Sequence, residues 1–239
     1  MTYESQWTAS KGLHGWKIPL PTRRHHKHWL ARQLNSPHSQ RLFDIIFALL
    51  VLSLCAPLYA LLAAIVALTS AGPIFYVQER VGKDFRHFGC IKFRTMVNNA
   101  DQQLAALVNS SPQLRAEFEA DFKLRRDPRV TPIGRFLRYT SLDEFPQFWN
   151  VLKGDMSVVG PRPLVPEELP RYGRTMAKVL TVKPGITGLW QVSGRNDIPY
   201  RQRVQIDAYY ASYRTWWLDG LIVLKTIAVM LFPRQSGGY

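Results

Sequence analysis

Two adjacent carboxylates, Asp143 and Glu144, have the clearest capacity for chemistry in this 239-residue chain. Neighbouring acidic side chains can hold a divalent cation, or one can act as a nucleophile while the other assists it. Pro146 is tolerated only in the first turn of a helix, so Asp143 is predicted at or near a helix N-terminus. There the helix dipole favours the carboxylate form that a covalent phosphoryl acceptor needs, and Glu144 could ligate Mg²⁺.

The same residues also fit a structural role. Ser141 and Glu144 match the S-x-x-E capping box, in which both side chains only close the start of a helix. The two roles are compatible, because the free backbone N–H groups of a helix start also attract phosphate. The pattern therefore leaves both open.

Basic residues that could bind phosphate lie near the acidic pair. Arg138 lies five residues before Asp143, and Arg162 lies in the stiff turn 160–163. Either guanidinium could clamp a phosphate with two N–H donors, and Lys92 and Arg195 are further candidates. Each one alone fits an ordinary surface charge. The chain has no Walker A motif and no strand-borne G-x-G-x-x-G, so a nucleotide must be held in another way.

The elements that position these side chains can be predicted in outline. The stretch 140–163 contains a short helix that ends at Gly154. Residues 74–81 and 85–96 predict a small β-hairpin, in which Lys92 and Arg94 share one face that spacing alone would leave in solvent. The other predicted elements are a polar helix at 98–126 broken at 111–112, a loop at 127–134, loops and short strands at 184–196, and a helix at 201–213.

One segment, 42–68, carries a membrane signal. It is apolar almost throughout, and as a helix it could cross a hydrocarbon core of about 30 Å. Pro57 interrupts it near the middle, and basic residues such as Arg41 and Lys83 flank both ends. Because basic flanks stay on the cytoplasmic side, the pattern favours a re-entrant helix that bends at Pro57 and returns. A straight span with a proline kink is the alternative.

The remaining signals concern the ends of the chain and its charge. Segment 215–232 begins with Trp216 and Trp217 and predicts an interfacial amphipathic helix, with a buried core helix as the alternative. The basic tail 1–40 fits either a solvated tail or a segment attracted to anionic lipid. A net charge of +14 indicates anionic partners: nucleic acid, lipid or phosphorylated substrates. Cys55 and Cys90 show no pairing or metal spacing, which fits a reducing compartment.

Several long motifs occur in order along the chain, namely GPIFYVQERVG, IKFRTM, DPRVTPIGRFLRYTSLDEFPQFWNVLKGDMSVVGPRPL and KPGITGLWQVSGRN. Together they resemble the bacterial sugar transferase family, the monotopic polyprenyl-phosphate phosphoglycosyl transferases that start exopolysaccharide, O-antigen and glycoprotein glycan assembly. The resemblance covers about residues 38–233. It implies an α+β fold, mostly helical, with a re-entrant membrane helix broken at Pro57, interfacial amphipathic helices and a small β-hairpin.

The resemblance also implies roles for single residues. Asp143 would attack the β-phosphate of a UDP-sugar, expel UMP and pass the sugar phosphate to polyprenyl (undecaprenyl) phosphate, with Glu144 as its partner in binding Mg²⁺. Pro57 matches the helix-breaking proline, but Ala56 stands where relatives often have serine, so Ser53 or water would have to satisfy the bend. Lys92, Arg138, Arg162 and Asp207 match other polar active-site positions and, with Arg195, are the candidate substrate-phosphate-binding residues.

The resemblance further implies an organisation and a place in the cell. The expected parts are a cytoplasmic tail (1–40), a re-entrant membrane helix (41–71), a catalytic domain (72–233) and a C-terminal tail (234–239). They would sit on the cytoplasmic face of the bacterial inner membrane, where a homodimer is allowed. The GLWQVSGRN form resembles members that use UDP-glucose or UDP-galactose. Two alternatives stay open: direct displacement with the acidic pair only holding Mg²⁺, and a non-catalytic basic module that binds nucleic acid or lipid.

Overall fold

The computed structural model describes residues 36–122, 124, 126–194 and 198–231. Within them the chain is mostly helical and has two sheets of two strands each, which confirms the predicted mixture of helices with a small β component. The basic tail up to residue 35, Arg195 and the segment from residue 232 onward lie outside the described residues.

The apolar segment forms two helices, α1 (Pro37–Leu54) and α2 (Ala56–Thr69). In the part of the chain that the structure describes, α1 is the one helix with the length and composition to cross a membrane, and α2 is apolar but shorter.

The predicted interruption of this segment exists, and it lies at Cys55 rather than at Pro57. Pro57 sits in the first turn of α2, where a missing N–H leaves no helical hydrogen bond unmade. The Cys55 N–H donates to the Val51 carbonyl at 2.9 Å. The Ser53 hydroxyl makes no hydrogen bond to a described residue, and the expectation that Ser53 or water satisfies the bend stays a prediction.

A β-hairpin follows, as predicted. Strands β1 (Phe75–Val81) and β2 (His87–Phe93) pair antiparallel, with Tyr76 opposite Lys92. The second strand ends earlier than expected. Arg94 turns inward, is buried, and donates to the Ser70 carbonyl at 2.6 Å. The prediction that this face lies in solvent is therefore wrong for Arg94.

The other elements follow in chain order. They are α3 (Ala100–Ser110), α4 (Pro112–Asp121), α5 (Pro132–Thr140), α6 (Gln147–Lys153), β3 (Ser157–Val159), α7 (Leu169–Tyr172), α8 (Met176–Val179), β4 (Gly185–Thr187), α9 (Tyr200–Tyr213) and α10 (Trp216–Leu231). The break at Ser111 and the end of α6 at Gly154 are confirmed. Helix α5 begins inside the predicted loop, because the Thr131 hydroxyl caps it by accepting from the Gly134 N–H at 3.0 Å.

Strands β3 and β4 form a parallel pair that depends on glycine. A Cβ on Gly160 would lie 2.4 Å from the Lys183 carbonyl oxygen, and one on Gly185 would lie 2.0 Å from the Gly160 nitrogen. No other residue type fits so close a backbone crossing. The crossing fixes the start of the turn that carries Arg162, and β3 itself was not predicted.

Helix α1 is bound to the rest of the fold through buried charge. Asp44 accepts hydrogen bonds from the Ser157 hydroxyl and the Val158 N–H, both at 2.9 Å. Arg41 donates to the carbonyls of Val151 and Leu152 at the end of α6. These bonds, together with Ala48 in the main core, hold α1 against α6 and β3. Helix α2 packs separately, with Leu62 and Val66 against Phe93 and Leu137.

Large apolar side chains on the outer faces of α1, α2 and α10 are exposed. Helix α10 buries Ile222 in the main core, whereas Trp217 is 75% exposed and Leu224 is also exposed. It is therefore half-buried, and the alternative of a buried core helix is wrong. The exposed side chains of α1 and α2 are Leu42, Ile46, Leu49, Leu50, Leu54, Leu58, Leu61 and Leu68. Exposed apolar side chains in this number indicate a surface that interacts with lipid or protein.

Candidate active site

The acidic pair lies on a single 3₁₀ turn, Leu142–Glu144, between α5 and α6. Ser141 ends α5 in the left-handed conformation, with φ of 59°, and its side chain caps nothing. The capping-box interpretation is therefore wrong. Asp143 also precedes α6 by a full turn, with Pro146 at the cap position. The short helix α6 begins too late for its dipole to act on Asp143 as predicted.

Glu144 is held ionised by the cations around it. Lys92 Nζ donates to Glu144 Oε1 at 2.8 Å across the space between β2 and the turn. Burial alone would raise the pKa of Glu144, but Lys92, Arg162 and Arg80 together hold it well below its usual range. Lys92 is thus a partly buried ion-pair partner, and the expectation of a solvated face is wrong for it too.

Asp143 has the opposite electrostatic character. It is 9% exposed, and burial together with the neighbouring Glu144 charge raises its pKa to about 6. Lys92 and Arg138 act against this rise. The direction contradicts the prediction that the local field favours the charged form. At neutral pH the carboxylate still prevails, poorly solvated beside its ionised neighbour.

Two arginines extend the cationic surroundings of the pair. Arg138 is in the last turn of α5, where its Nε donates to Thr95 Oγ1 at 3.0 Å and its charge acts on Asp143. Arg162 lies in the turn after β3, and its charge acts on both Glu144 and Asp207. The structure therefore brings Lys92, Arg138 and Arg162 together with the acidic pair.

Asp207 lies on α9, close enough to Arg162 for that charge to act on it. It is 1% exposed, and its Oδ2 accepts from the Tyr172 hydroxyl at 2.9 Å. Its other oxygen, Oδ1, is buried without a partner among the described residues. Burial raises its pKa to about 8, so Asp207 is a neutral acid near pH 7. The predicted candidate Arg195 lies outside the described residues.

Two residues at the site were not predicted. Arg80 stands in the motif GPIFYVQERVG, and its charge is among those that lower the pKa of Glu144. Tyr59 of α2 donates a hydrogen bond to the Phe145 carbonyl, directly after the acidic pair, and its ring packs 5.9 Å from that of Phe145. The sequence feature that could have indicated this role is the single tyrosine hydroxyl inside an otherwise apolar segment.

Replacing Tyr59 with phenylalanine should destabilise this turn. The ring packing stays, but the Phe145 carbonyl loses one of its two donors and keeps only the Phe148 N–H at 3.1 Å, at a cost of about 1 kcal/mol. A chain of this size should then melt about 2–4 °C lower. Thermal unfolding in lipid nanodiscs measures this, with Tyr213→Phe as a control at an exposed tyrosine of α9. Equal melting temperatures for both variants would contradict the role given to Tyr59.

The donor set at the site suits a hard cation. No group of three or more His, Cys, Asp or Glu side chains that could hold a metal occurs within the described ranges. Glu144 uses Oε1 for Lys92, and its Oε2 makes no hydrogen bond to a described residue. One or two carboxylates with free oxygens fit Mg²⁺, which completes its shell with substrate phosphate and water.

Comparison with known proteins identifies the group to which this site belongs. A family model described as "Bacterial sugar transferase" matches residues 35–233. The chain is 47% identical over 200 residues to the UDP-galactose-lipid carrier transferase of Erwinia amylovora, and 49% identical over 200 residues to the undecaprenyl-phosphate galactose phosphotransferase of Salmonella typhimurium. Each alignment covers 84% of this chain and 41% of the relative, so the chain spans about two-fifths of their length.

A shorter relative is covered almost completely. The exopolysaccharide production protein ExoY of Sinorhizobium fredii is 43% identical over 198 residues, which include 83% of this chain and 88% of that protein. The family model spans α1 to α10, and so includes the hairpin, the acidic turn and the turn of Arg162. The chain therefore belongs to the bacterial sugar transferase family.

Proposed function

We propose that this protein transfers a sugar-1-phosphate from a UDP-sugar to polyprenyl phosphate and releases UMP. The observation that carries the proposal is the acidic turn. It pairs a buried, poorly solvated Asp143 with an ionised Glu144 among four cations, and it is hydrogen-bonded to the apolar helix α2. This combination offers a nucleophile, a metal ligand and anion-binding groups beside a surface suited to lipid.

The relatives support the choice of substrates. Those of Erwinia and Salmonella are named for galactose and for a lipid or undecaprenyl-phosphate carrier, and that of Sinorhizobium for exopolysaccharide production. Transfer of a hexose-1-phosphate, from UDP-galactose or UDP-glucose, onto undecaprenyl phosphate is the corresponding reaction here. It would be the first membrane step of exopolysaccharide or related glycan assembly.

In the first step the Asp143 carboxylate attacks the β-phosphorus of the donor. A new bond forms between Asp143 oxygen and phosphorus, the bond to the bridging oxygen breaks, and UMP leaves with that oxygen. The product is a sugar-phosphoryl-aspartate. A carboxylate that is poorly solvated but still ionised at neutral pH is suited to this attack. Lys92, Arg138 and Arg162 offer fixed positive charge for the phosphate oxygens.

In the second step a phosphate oxygen of the lipid carrier attacks the same phosphorus. The bond to Asp143 breaks, the carboxylate is regenerated, and the product is a polyprenyl diphosphate sugar. Glu144 and Asp143 would hold Mg²⁺, which offsets the negative charge of the diphosphate when bound. The lowered pKa of Glu144 supports its role as the principal ligand.

The arrangement of α1 and α2 supports a re-entrant, monotopic membrane association on the cytoplasmic face of the inner membrane. Near the start of α1, Arg41 binds the end of α6, and after the end of α2, Ser70 binds Arg94. Both ends of the apolar pair thus contact one folded unit, which suits an entry and return better than a crossing. The interruption at Cys55 allows the bend.

Cysteine labelling tests this topology. In a Cys55→Ser background, Ser10→Cys and Lys83→Cys should both react with a membrane-impermeant maleimide only from the cytoplasmic side, because both ends of the apolar segment lie there. Cys90 should stay unlabelled, since it is fully buried. Labelling of the two positions from opposite sides of the membrane would contradict the re-entrant topology.

The raised pKa of Asp143 predicts a pH dependence. The nucleophile must be ionised, so kcat/KM should fall below about pH 6, by about tenfold per pH unit, and be level above it. Rates of UMP release measured between about pH 5 and pH 8 test this. A level profile down to about pH 5 would show that protonation of Asp143 does not limit the reaction.

The most informative test of the function is UMP release from a panel of UDP-sugars, with undecaprenyl phosphate and Mg²⁺ present. The proposal expects lipid-dependent release that is fastest with a UDP-hexose. Preference for an N-acetylated amino sugar would correct the sugar only. Failure of every donor to give lipid-dependent UMP would overturn the proposal.

A further inference from the structure

Arg80, near the end of β1, is a buried cation that the proposed reaction does not use directly. It is 5% exposed. Its Nη1 donates to the Pro163 carbonyl at 2.8 Å, and its Nη2 donates to Gln78 Oε1 at 2.5 Å. Glu168 Oε2 lies 3.9 Å from Nη1. Both terminal nitrogens of the guanidinium are thus engaged by the protein.

The bond to Pro163 bears on the site because Pro163 directly follows Arg162. The next residue is also held by β1, since the Val81 N–H donates to the Leu164 carbonyl at 2.8 Å. On its other side the turn begins at the glycine crossing of β3 and β4. The backbone that carries Arg162 is therefore fixed at both ends, and Arg80 supplies the side-chain bond nearest to Arg162.

Burying the charge of Arg80 at this position is energetically unfavourable. Burial lowers its pKa, and the nearby charge of Arg162 lowers it further. An apolar residue could fill the same volume without this cost. What the arginine adds is the bond to the Pro163 carbonyl and a third positive charge that acts on Glu144, beside those of Lys92 and Arg162.

We propose that Arg80 is a positioning residue for the donor diphosphate, acting through Arg162. By holding the Pro163 carbonyl it orients the turn so that the Arg162 guanidinium faces the same space as Glu144, where the diphosphate and its metal bind. The inference rests on the proposed function, because it assumes that Arg162 binds the donor.

Lysine cannot replace Arg80 in this role. A single ammonium group cannot reproduce the planar pair of donors that reaches Pro163 and Gln78 in different directions. Arg80→Lys keeps the charge and most of the bulk but should loosen the turn. The KM for the UDP-sugar should rise about tenfold, with a smaller change in kcat, since a charged hydrogen bond that positions a binding group is lost.

A double-mutant cycle separates positioning from general stability. Arg162→Ala should raise KM by about tenfold or more, and Arg80→Lys should add less than about twofold on that background, because its effect passes through Arg162. Arg86→Lys, at an exposed arginine of the same hairpin, should leave KM unchanged. Additive effects of the two changes, or a fall in kcat with KM unchanged, would overturn the inference.

Gln78→Leu is a second variant in case Arg80→Lys does not fold. It leaves both arginines and removes only the acceptor of the Arg80 Nη2 hydrogen bond, so KM should rise about two- to fivefold. An unchanged KM would again count against the inference.

The wild-type protein is assayed first in nanodiscs. Absence of UMP release there would refute the proposed function. Normal wild-type release with additive variants would refute the role of Arg80 alone.

Discussion

Asp143→Asn should reduce lipid-dependent UMP release by about 10⁴-fold or more. The amide keeps the shape of the side chain and its burial, but it removes the nucleophile on which both proposed steps depend, and losses of this size follow removal of a nucleophile. Initial rates with saturating UDP-hexose, undecaprenyl phosphate and Mg²⁺ measure the effect. The fold should survive, because the carboxylate is poorly solvated and its pKa is raised, so the neutral amide is tolerated there.

Asp84→Asn is the matched control. Asp84 is an exposed aspartate in the hairpin turn, and its φ of 55° is one that asparagine adopts readily. This variant should retain full activity. Retention of more than about a tenth of wild-type activity by Asp143→Asn would exclude a nucleophilic role. Equally low UMP release from the wild type and from Asp143→Asn would instead favour a non-catalytic binding module.

Glu144→Gln should lower kcat/KM by about 10²–10³-fold and raise the Mg²⁺ concentration for half-maximal activity. The change removes the carboxylate that the surrounding cations keep ionised. It also leaves the Lys92 ammonium, which lies 2.8 Å from Glu144 Oε1, without its ion-pair partner in a partly buried place. A Mg²⁺ titration of the UMP-release rate separates the loss of the metal ligand from the loss of the ion pair.

Lys92→Met supplies the comparison for Glu144. It breaks the same ion pair but leaves the carboxylate, so it should lower the rate without a comparable change in the Mg²⁺ requirement. If Glu144→Gln and Lys92→Met shifted the Mg²⁺ titration equally, Glu144 would be a structural partner of Lys92 and not a metal ligand. An unchanged Mg²⁺ dependence in both variants would indicate that the metal is bound by Asp143 without Glu144, or outside the acidic pair.

Local features of the fold were largely predictable. Alternating β-branched and aromatic residues around a short turn gave the hairpin, Gly154 gave the end of α6, and Ser111-Pro112 gave the break between α3 and α4. The proline in the apolar run indicated an interruption, although the break lies at Cys55. These signals depend on a few neighbouring residues, so the sequence displays them directly.

The predictions that failed depend on contacts distant in sequence. The S-x-x-E pattern suggested a cap, but the chain reverses at Ser141 and places the acidic pair on a 3₁₀ turn. The pKa of Asp143 is set by its burial and by Glu144, which no local pattern reports. Strand spacing alone favoured a solvent-exposed Lys92, whereas its ammonium group bonds to Glu144, 52 residues later. The contacts of Tyr59 and Arg80 were not predictable from local sequence, because their partners lie 86 and 83 residues away.

The site residues named from motifs were gathered by the fold in most cases. Lys92, Arg138 and Arg162 surround the acidic pair. Asp207 is a buried acid with a raised pKa on which the Arg162 charge acts, and its part in phosphate binding stays a prediction. The motifs indicated which residues lie together at the site, but they did not indicate the protonation state of each residue. That required the burial and the neighbouring charges that the fold supplies.

The central claim is that Asp143 bonds covalently to the sugar phosphate. Its most direct test is mass spectrometry of wild-type protein mixed with UDP-hexose and Mg²⁺, without lipid carrier, and quenched within the first turnover. The account predicts a sugar-phosphoryl group on the peptide that contains Asp143, formed together with an equal amount of UMP and absent in Asp143→Asn. No adduct under these conditions, with rapid UMP release once undecaprenyl phosphate is added, would contradict it. The transfer would then be a direct displacement in which Asp143 and Glu144 only hold the metal.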